Sequence, residues 1–225
     1  MRLFIFGIAA FLTAHFAIGQ ETKIVTVNSD GFIEEYSVLI SDQRIKHGNY
    51  QKFKGKGQLV MEGTYDNNRK TSEWKFYTDG ELDQTYDFSA KKLKYARKPD
   101  HKYKVLIDGK IQEIELDTPP LYLGSKAELS KELNKVMKYP AQARRMGTEG
   151  KVSVSFWIDR TDNISDIKIV QGITVECNSE VRRGLGVVEK NWVAGTVNGQ
   201  KVKAQFFVVV EFKLHDRGLT TITVL

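Results

Sequence analysis

Residues 139–171 read YPAQARRMGTEGKVSVSFWIDRTDNISDIKIVQ, and residues 202–214 read VKAQFFVVVEFKL. In the first stretch Val152, Val154, Phe156 and Ile158 alternate with Ser153, Ser155 and Trp157, the period of a half-buried strand. A polar turn, TDN at 161–163, leads to a return run with Ile167 and Ile169 on one face. In the second stretch Val202, Ala204, Phe206, Val208, Val210, Phe212 and Leu214 alternate with Lys203, Gln205, Phe207, Val209, Glu211 and Lys213. Between the two, Val181, Leu185 and Val188 fall at i, i+4 and i+7, one face of a helix ending before Trp192. Strand, turn, strand, helix, strand describes a small α+β module.

The segment before it is helical. Asp117-Thr118-Pro119-Pro120 is a break, and Ser125 with Glu128 three residues on fits a capping box. Leu129, Leu133 and Val136 share a helical face, and the helix must end near Tyr139 because a residue before proline avoids the α region. A second short helix is predicted over Pro140 to Met146, with Gly147 as its C-cap. Gly184 and Gly186 each weaken the third helix by roughly 1 kcal/mol relative to alanine, so close packing on the sheet is the expected reason for them.

Residues 21–116 are rich in alternating runs with glycine turns. KIVTV and FIEEYSVLI flank Asn28–Gly31, and YKVLI and KIQEIEL flank Asp108-Gly109, a two-residue hairpin signal. Between them lies a repeat: HGNYQKFKGKGQLVMEGTYDN at 47–67 is followed by SEWKFYTDGELDQTYDF at 72–88. Gly57 matches Gly80, Leu59 matches Leu82, and Tyr65-Asp66 matches Tyr86-Asp87. Each unit alone cannot bury its aromatic face, whereas stacked units can. The pattern resembles the MORN-variant repeat, with Glu73 where the second copy would carry a glycine; the resemblance implies a β-sheet platform.

Residues 1–20 carry Arg2, then an apolar run from Leu3, then Ala17-Ile18-Gly19, the layout of a secretory leader. Two readings stand: a cleaved signal, or a membrane anchor formed by residues 3–18, which His15 interrupts. The expected compartment is the periplasm. The formal net charge of +6 falls by one if Arg2 leaves with the leader, and export argues against nucleic acid as the partner of that excess. Cys177 is the only cysteine, which excludes an internal disulfide and a thiolate metal cluster.

Tyr139-Pro140 with Ala143, EGKVSVSFWID, DIKIVQGI, NSEVRR, Trp192 and NGQKV together resemble the TonB C-terminal domain, over Leu121 to Leu214. The resemblance implies three antiparallel strands packed on two helices, so that the chain is α+β with an antiparallel β-repeat domain (21–116) ahead of this domain (117–225). It implies binding of an extended segment of an outer-membrane transporter, or another envelope protein, by strand addition. The last strand would be the receiving edge, with Val202, Lys203, Gln205, Phe207 and Val209 as candidate contacts and Met137, Tyr139 and Pro140 flanking it. Phe206 and Val208 read as core. The same edge could pair a second copy as a homodimer. The chain has four prolines and no long proline-rich spacer, and Ala194 stands where the family pattern near the tryptophan has proline. A free periplasmic binder is therefore weighed beside a transport partner. A structural role, with the aromatic repeat as the working surface, is the alternative. No cofactor or metal is expected: His47, His101 and His215 lack metal-ligand spacing, and no catalytic constellation is present in the sequence.

Overall fold

The computed structural model describes residues 20–29, 31–55, 57–98, 101–124, 126–188, 190–215 and 220–224. The leader expected at 1–20 (Gln20 apart) and the cap expected at Ser125 lie outside the described residues. No helix among the described residues is long and apolar enough to cross a membrane.

The first sheet has seven antiparallel strands in chain order: β1 (Thr22–Ser29), β2 (Phe32–Leu39), β3 (Lys46–Lys54), β4 (Gln58–Asp66), β5 (Arg69–Thr78), β6 (Glu81–Asp87) and β7 (Lys92–Ala96). The two sequence repeats are the adjacent hairpins β3–β4 and β5–β6. Their aromatic residues meet on one face, where Tyr50, Met61, Trp74 and Phe76 are buried. The Trp74 ring lies 5.3 Å from Tyr50 and 5.0 Å from Tyr65, edge-on to the latter. Lys46 and Lys70 extend over Tyr36 and Trp74 at 4.0 and 4.4 Å, and burial lowers the pKa of both ammonium groups.

A hairpin follows, β8 (Tyr103–Ile107) and β9 (Lys110–Ile114), turned by Asp108 and Gly109 at φ 49° and 75°. That pair of left-handed residues is what an Asp-Gly turn supplies. Then come β10 (Leu121–Tyr122), α1 (Lys126–Val136), α2 (Ala141–Arg145), β11 (Gly150–Ile158), β12 (Ile164–Gln171) and α3 (Val175–Val187). The chain continues through β13 (Trp192–Val193), β14 (Thr196–Val197), β15 (Gln200–Lys201), β16 (Lys203–Leu214) and β17 (Thr220–Val224). The fold is α+β. Strands β12, β11 and β16 are the three expected from sequence, with the predicted inner face: Val152, Val154, Phe156, Ile158, Val208, Val210 and Phe212 are buried with Leu133, Val181 and Leu185 of the helices.

The sheet is larger than three strands. Its order is β12-β11-β16-β8-β9, and β17 also pairs with β16. The hairpin of 103–114, placed by sequence with the N-terminal segment, thus hydrogen-bonds to the C-terminal sheet through Val105–Leu106 against Lys203–Ala204. Alternation reveals that a segment is a strand, but not which strand it meets.

The two helix glycines differ. A Cβ at Gly184 would lie 2.3 Å from Met137 Cγ, so the close approach is to the end of α1 and not to the sheet. A Cβ at Gly186 would meet nothing within 4 Å, so packing does not explain that glycine.

Candidate functional site

The expected receiving edge is not an edge along its whole length. On one side β16 is paired by β11 over Ala204 to Phe212, from Gly150 against Phe212 to Ile158 against Ala204. On the other side β8 covers Lys203 and Ala204, and β17 covers Val210 to Leu214. Between them, residues 205–209 have no neighbouring strand on that side among the described residues. This stretch is about 17 Å long at the rise of an antiparallel strand.

Beside it lies a cavity of about 300 Å³. Phe206, Phe207 and Val208 of β16 form one wall, and Leu121, Leu129 and Val224 supply more apolar surface. The opposite wall comes from the seven-stranded sheet and the chain leaving it, through Gln84, Ala96, Arg97 and Lys98. Tyr103 and Tyr122 also line the space. Burial pushes the Tyr103 phenol up to about 12 and that of Tyr122 upward, so both remain protonated donors at neutral pH.

Trp192 supports this wall from behind. It is 3% exposed, its indole N–H donates to the Val188 carbonyl at 2.7 Å, and its ring lies 5.7 Å from Phe206 and 4.9 Å from Tyr122.

Buried polar contacts fix the two walls against each other. The Gln84 side-chain amide donates to the Tyr122 carbonyl at 3.0 Å, and its oxygen accepts from Gly124 N–H at 3.1 Å. Both amide groups are thereby partnered, in a residue only 5% exposed. Lys52, 4% exposed, places its ammonium 3.2 Å from Glu128 of α1 and 3.7 Å from Glu34 of its own sheet. Such a buried pair is weak evidence of stability, but it fixes position, since separating the partners strands a charge.

The sequence-predicted contacts divide. Gln205, Phe207 and Val209 lie in the open stretch, and the Phe207 side chain is 58% exposed. Val202 and Lys203 do not serve an open edge. Val202 is 7% exposed in a small core with Val105 and Leu116, and Lys203 is registered against Leu106. Met137 is buried beneath Gly184. Tyr139 packs on Phe212, at the β17 end of β16, and donates its hydroxyl to the Thr148 carbonyl. Pro140 stands at the N-cap of α2, beside Tyr139, and neither it nor Met137 lines the cavity.

Sequence reasoning missed Gln84, although a signal existed. The repeats align EGTYD at 62–66 with DQTYD at 83–87, so Gln84 stands where the first copy has Gly63. Trp74 packs on Gly63, while residues 122–124 take up the polar side chain of Gln84. Of Phe206 and Val208, read as core, Val208 belongs to the core cluster and Phe206, half-buried, packs against it; both also line the cavity.

Among curated proteins and solved structures, nothing matches the chain. The family model for the Gram-negative bacterial TonB protein C-terminal region matches residues 135–214, from the last turn of α1 to the end of β16. This is a family of protein-interaction domains of the cell envelope, whose members meet outer-membrane receptors. With its strands, helices and buried tryptophan in place, the segment 135–214 is similar to TonB C-terminal domains.

Proposed function

We propose that this is an exported envelope protein that receives an extended segment of an outer-membrane transporter, or of another envelope protein, on residues 205–209 of β16, in the service of TonB-dependent transport. The observation that carries the reading is the open stretch itself. The central strand of the TonB C-terminal-like segment has, among the described residues, no neighbouring strand on one side over five residues, directly beside an apolar cavity. An incoming strand completes the amides and carbonyls there, and the flanking side chains add selectivity. Gln205, Phe207 and Val209 meet the segment on the outer face of the sheet, Phe206 and Val208 on the inner.

The alternative, an aromatic repeat that acts as the binding surface, has less support. Tyr50, Trp74 and Phe76 are 5%, 0% and 1% exposed and pack on one another.

A photo-cross-linking amino acid at position 207, in cells, tests the proposal, with position 111 on β9 as an equally exposed control. The expected result is an adduct with an outer-membrane or other envelope protein at 207 and none at 111. An adduct only with a second copy of the chain, or equal labelling at both positions, would contradict it.

A further inference from the structure

The strand-addition reading concerns the C-terminal domain, yet one wall of the cavity, through Asp83, Gln84, Ala96, Arg97 and Lys98, belongs to the other sheet and the chain leaving it. Its position is fixed. Gln84 and Lys52, both nearly inaccessible, tie the seven-stranded sheet to residues 122–124 and to α1. A wall held by buried polar contacts presents its side chains at set positions, which is the condition for selectivity.

The charges around the cavity are unbalanced. Four charged residues line the cavity: Asp83, Arg97, Lys98 and Lys126. Asp83 lies 3.6 Å from the Arg97 guanidinium, which also contacts Glu81 at 3.0 Å and donates to the Thr78 and Glu81 carbonyls. The chain therefore answers its own acid, and it holds Arg97 in place. Neither Lys98 nor Lys126 has an ion pair with any described residue. One of these cations follows β7, the other opens α1, and the space they share is floored by Leu121, Leu129 and Val224. An apolar floor excludes water and strengthens the field of charges at its rim.

We infer that the seven-stranded sheet is a specificity wall of the strand-binding site, and that Lys98 and Lys126 select an extended segment bearing carboxylates beside its paired residues. The inference rests on the strand-addition reading and adds the second domain and the sign of the ligand to it. Selection works in both directions: a carboxylate compensates the two ammonium groups, and a basic segment meets like charge in a partly desolvated space.

Random twelve-residue peptides displayed on phage, selected on the full chain and on its Lys98→Glu/Lys126→Glu variant, test this. Lys110→Glu, on the distant turn of the β8–β9 hairpin, serves as the charge control. Both target lysines are exposed, so the double variant is expected to fold as the parent does. The expected result is extended apolar peptides enriched in Asp and Glu on the parent and the control, and in Lys and Arg on the double variant. An acidic peptide from the first selection should bind the double variant about tenfold more weakly. Apolar peptides without charge bias on both proteins would overturn the specificity wall and leave strand addition standing. Recovery of no peptide on either would overturn both.

Discussion

Gly63→Val is expected to cost about 3 kcal/mol or more, enough to unfold much of the seven-stranded sheet. A Cβ at position 63 would lie 2.3 Å from Cδ2, 2.4 Å from Cε2 and 2.5 Å from Cγ of Trp74, distances that no side chain tolerates. The backbone at 63 is not in the left-handed region, so the requirement is for space and not for conformation. Trp74 cannot move away. It is 0% exposed, its indole N–H donates to the Thr64 carbonyl at 3.1 Å, and Tyr50, Tyr65 and Phe88 surround its ring within 5.9 Å. Urea unfolding followed by tryptophan fluorescence and far-ultraviolet circular dichroism measures the loss. A variant within about 1 kcal/mol of the parent would show that the aromatic face repacks freely, against the close packing expected of interiors. Because Gln84 and Lys52 sit on this sheet, the fixed second wall of the cavity should be lost with it.

Trp192→Ala should have the second largest effect, about 3–5 kcal/mol, as for other buried large aromatic truncations. The ring fills the space between Tyr122, Phe156 and Phe206, with centroids 4.9, 5.0 and 5.7 Å away. Removing it leaves a cavity directly behind the groove wall and breaks the hydrogen bond to Val188. Trp192→Phe should retain most of the stability, since a ring remains and only the indole N–H is lost. Thermal unfolding of the two variants separates the contributions. Equal losses for phenylalanine and alanine would assign the effect to the hydrogen bond and not to the ring. The cross-linking yield at position 207 should fall in the alanine variant even below its unfolding temperature, because Phe206 loses its support.

Which parts of this were legible in the sequence follows from the range of each interaction. Val152 to Ile158 and Val202 to Leu214 alternate so regularly that their inner face could be assigned residue by residue; Val152, Val154, Phe156, Ile158, Val208, Val210 and Phe212 are buried accordingly, while Val202 and Ala204 enter a separate small core and Phe206 and Leu214 are half-buried. Leu129, Leu133, Val181 and Leu185 likewise point to the sheet from their helical spacing. The Asp108-Gly109 turn is a local signal and forms as expected. Partner choice is not local. That β8 closes one end of the β16 edge and β17 the other depends on where two distant segments dock, which no periodicity encodes. For that reason the candidate edge read from sequence was too long. Val202 and Lys203 are covered by the hairpin, while Gln205 to Val209 remain open. Met137 and Gly184 each had a plausible separate reading, yet they are one contact, α1 against α3. The second wall lay furthest from view. Gln84 stands where the first repeat has Gly63, and at that position a packing site in one copy is a docking site in the other.

The central claim is that the strand-receiving surface is residues 205–209 and not another strand edge. Amide hydrogen exchange, with and without a peptide of the segment captured at position 207, tests it most directly. The expected result is about tenfold or greater slowing of amides within Gln205–Val209, with β1 and β12, one outermost strand of each sheet, unchanged. Protection at β1 or β12, with Gln205–Val209 exchanging as before, would contradict the account.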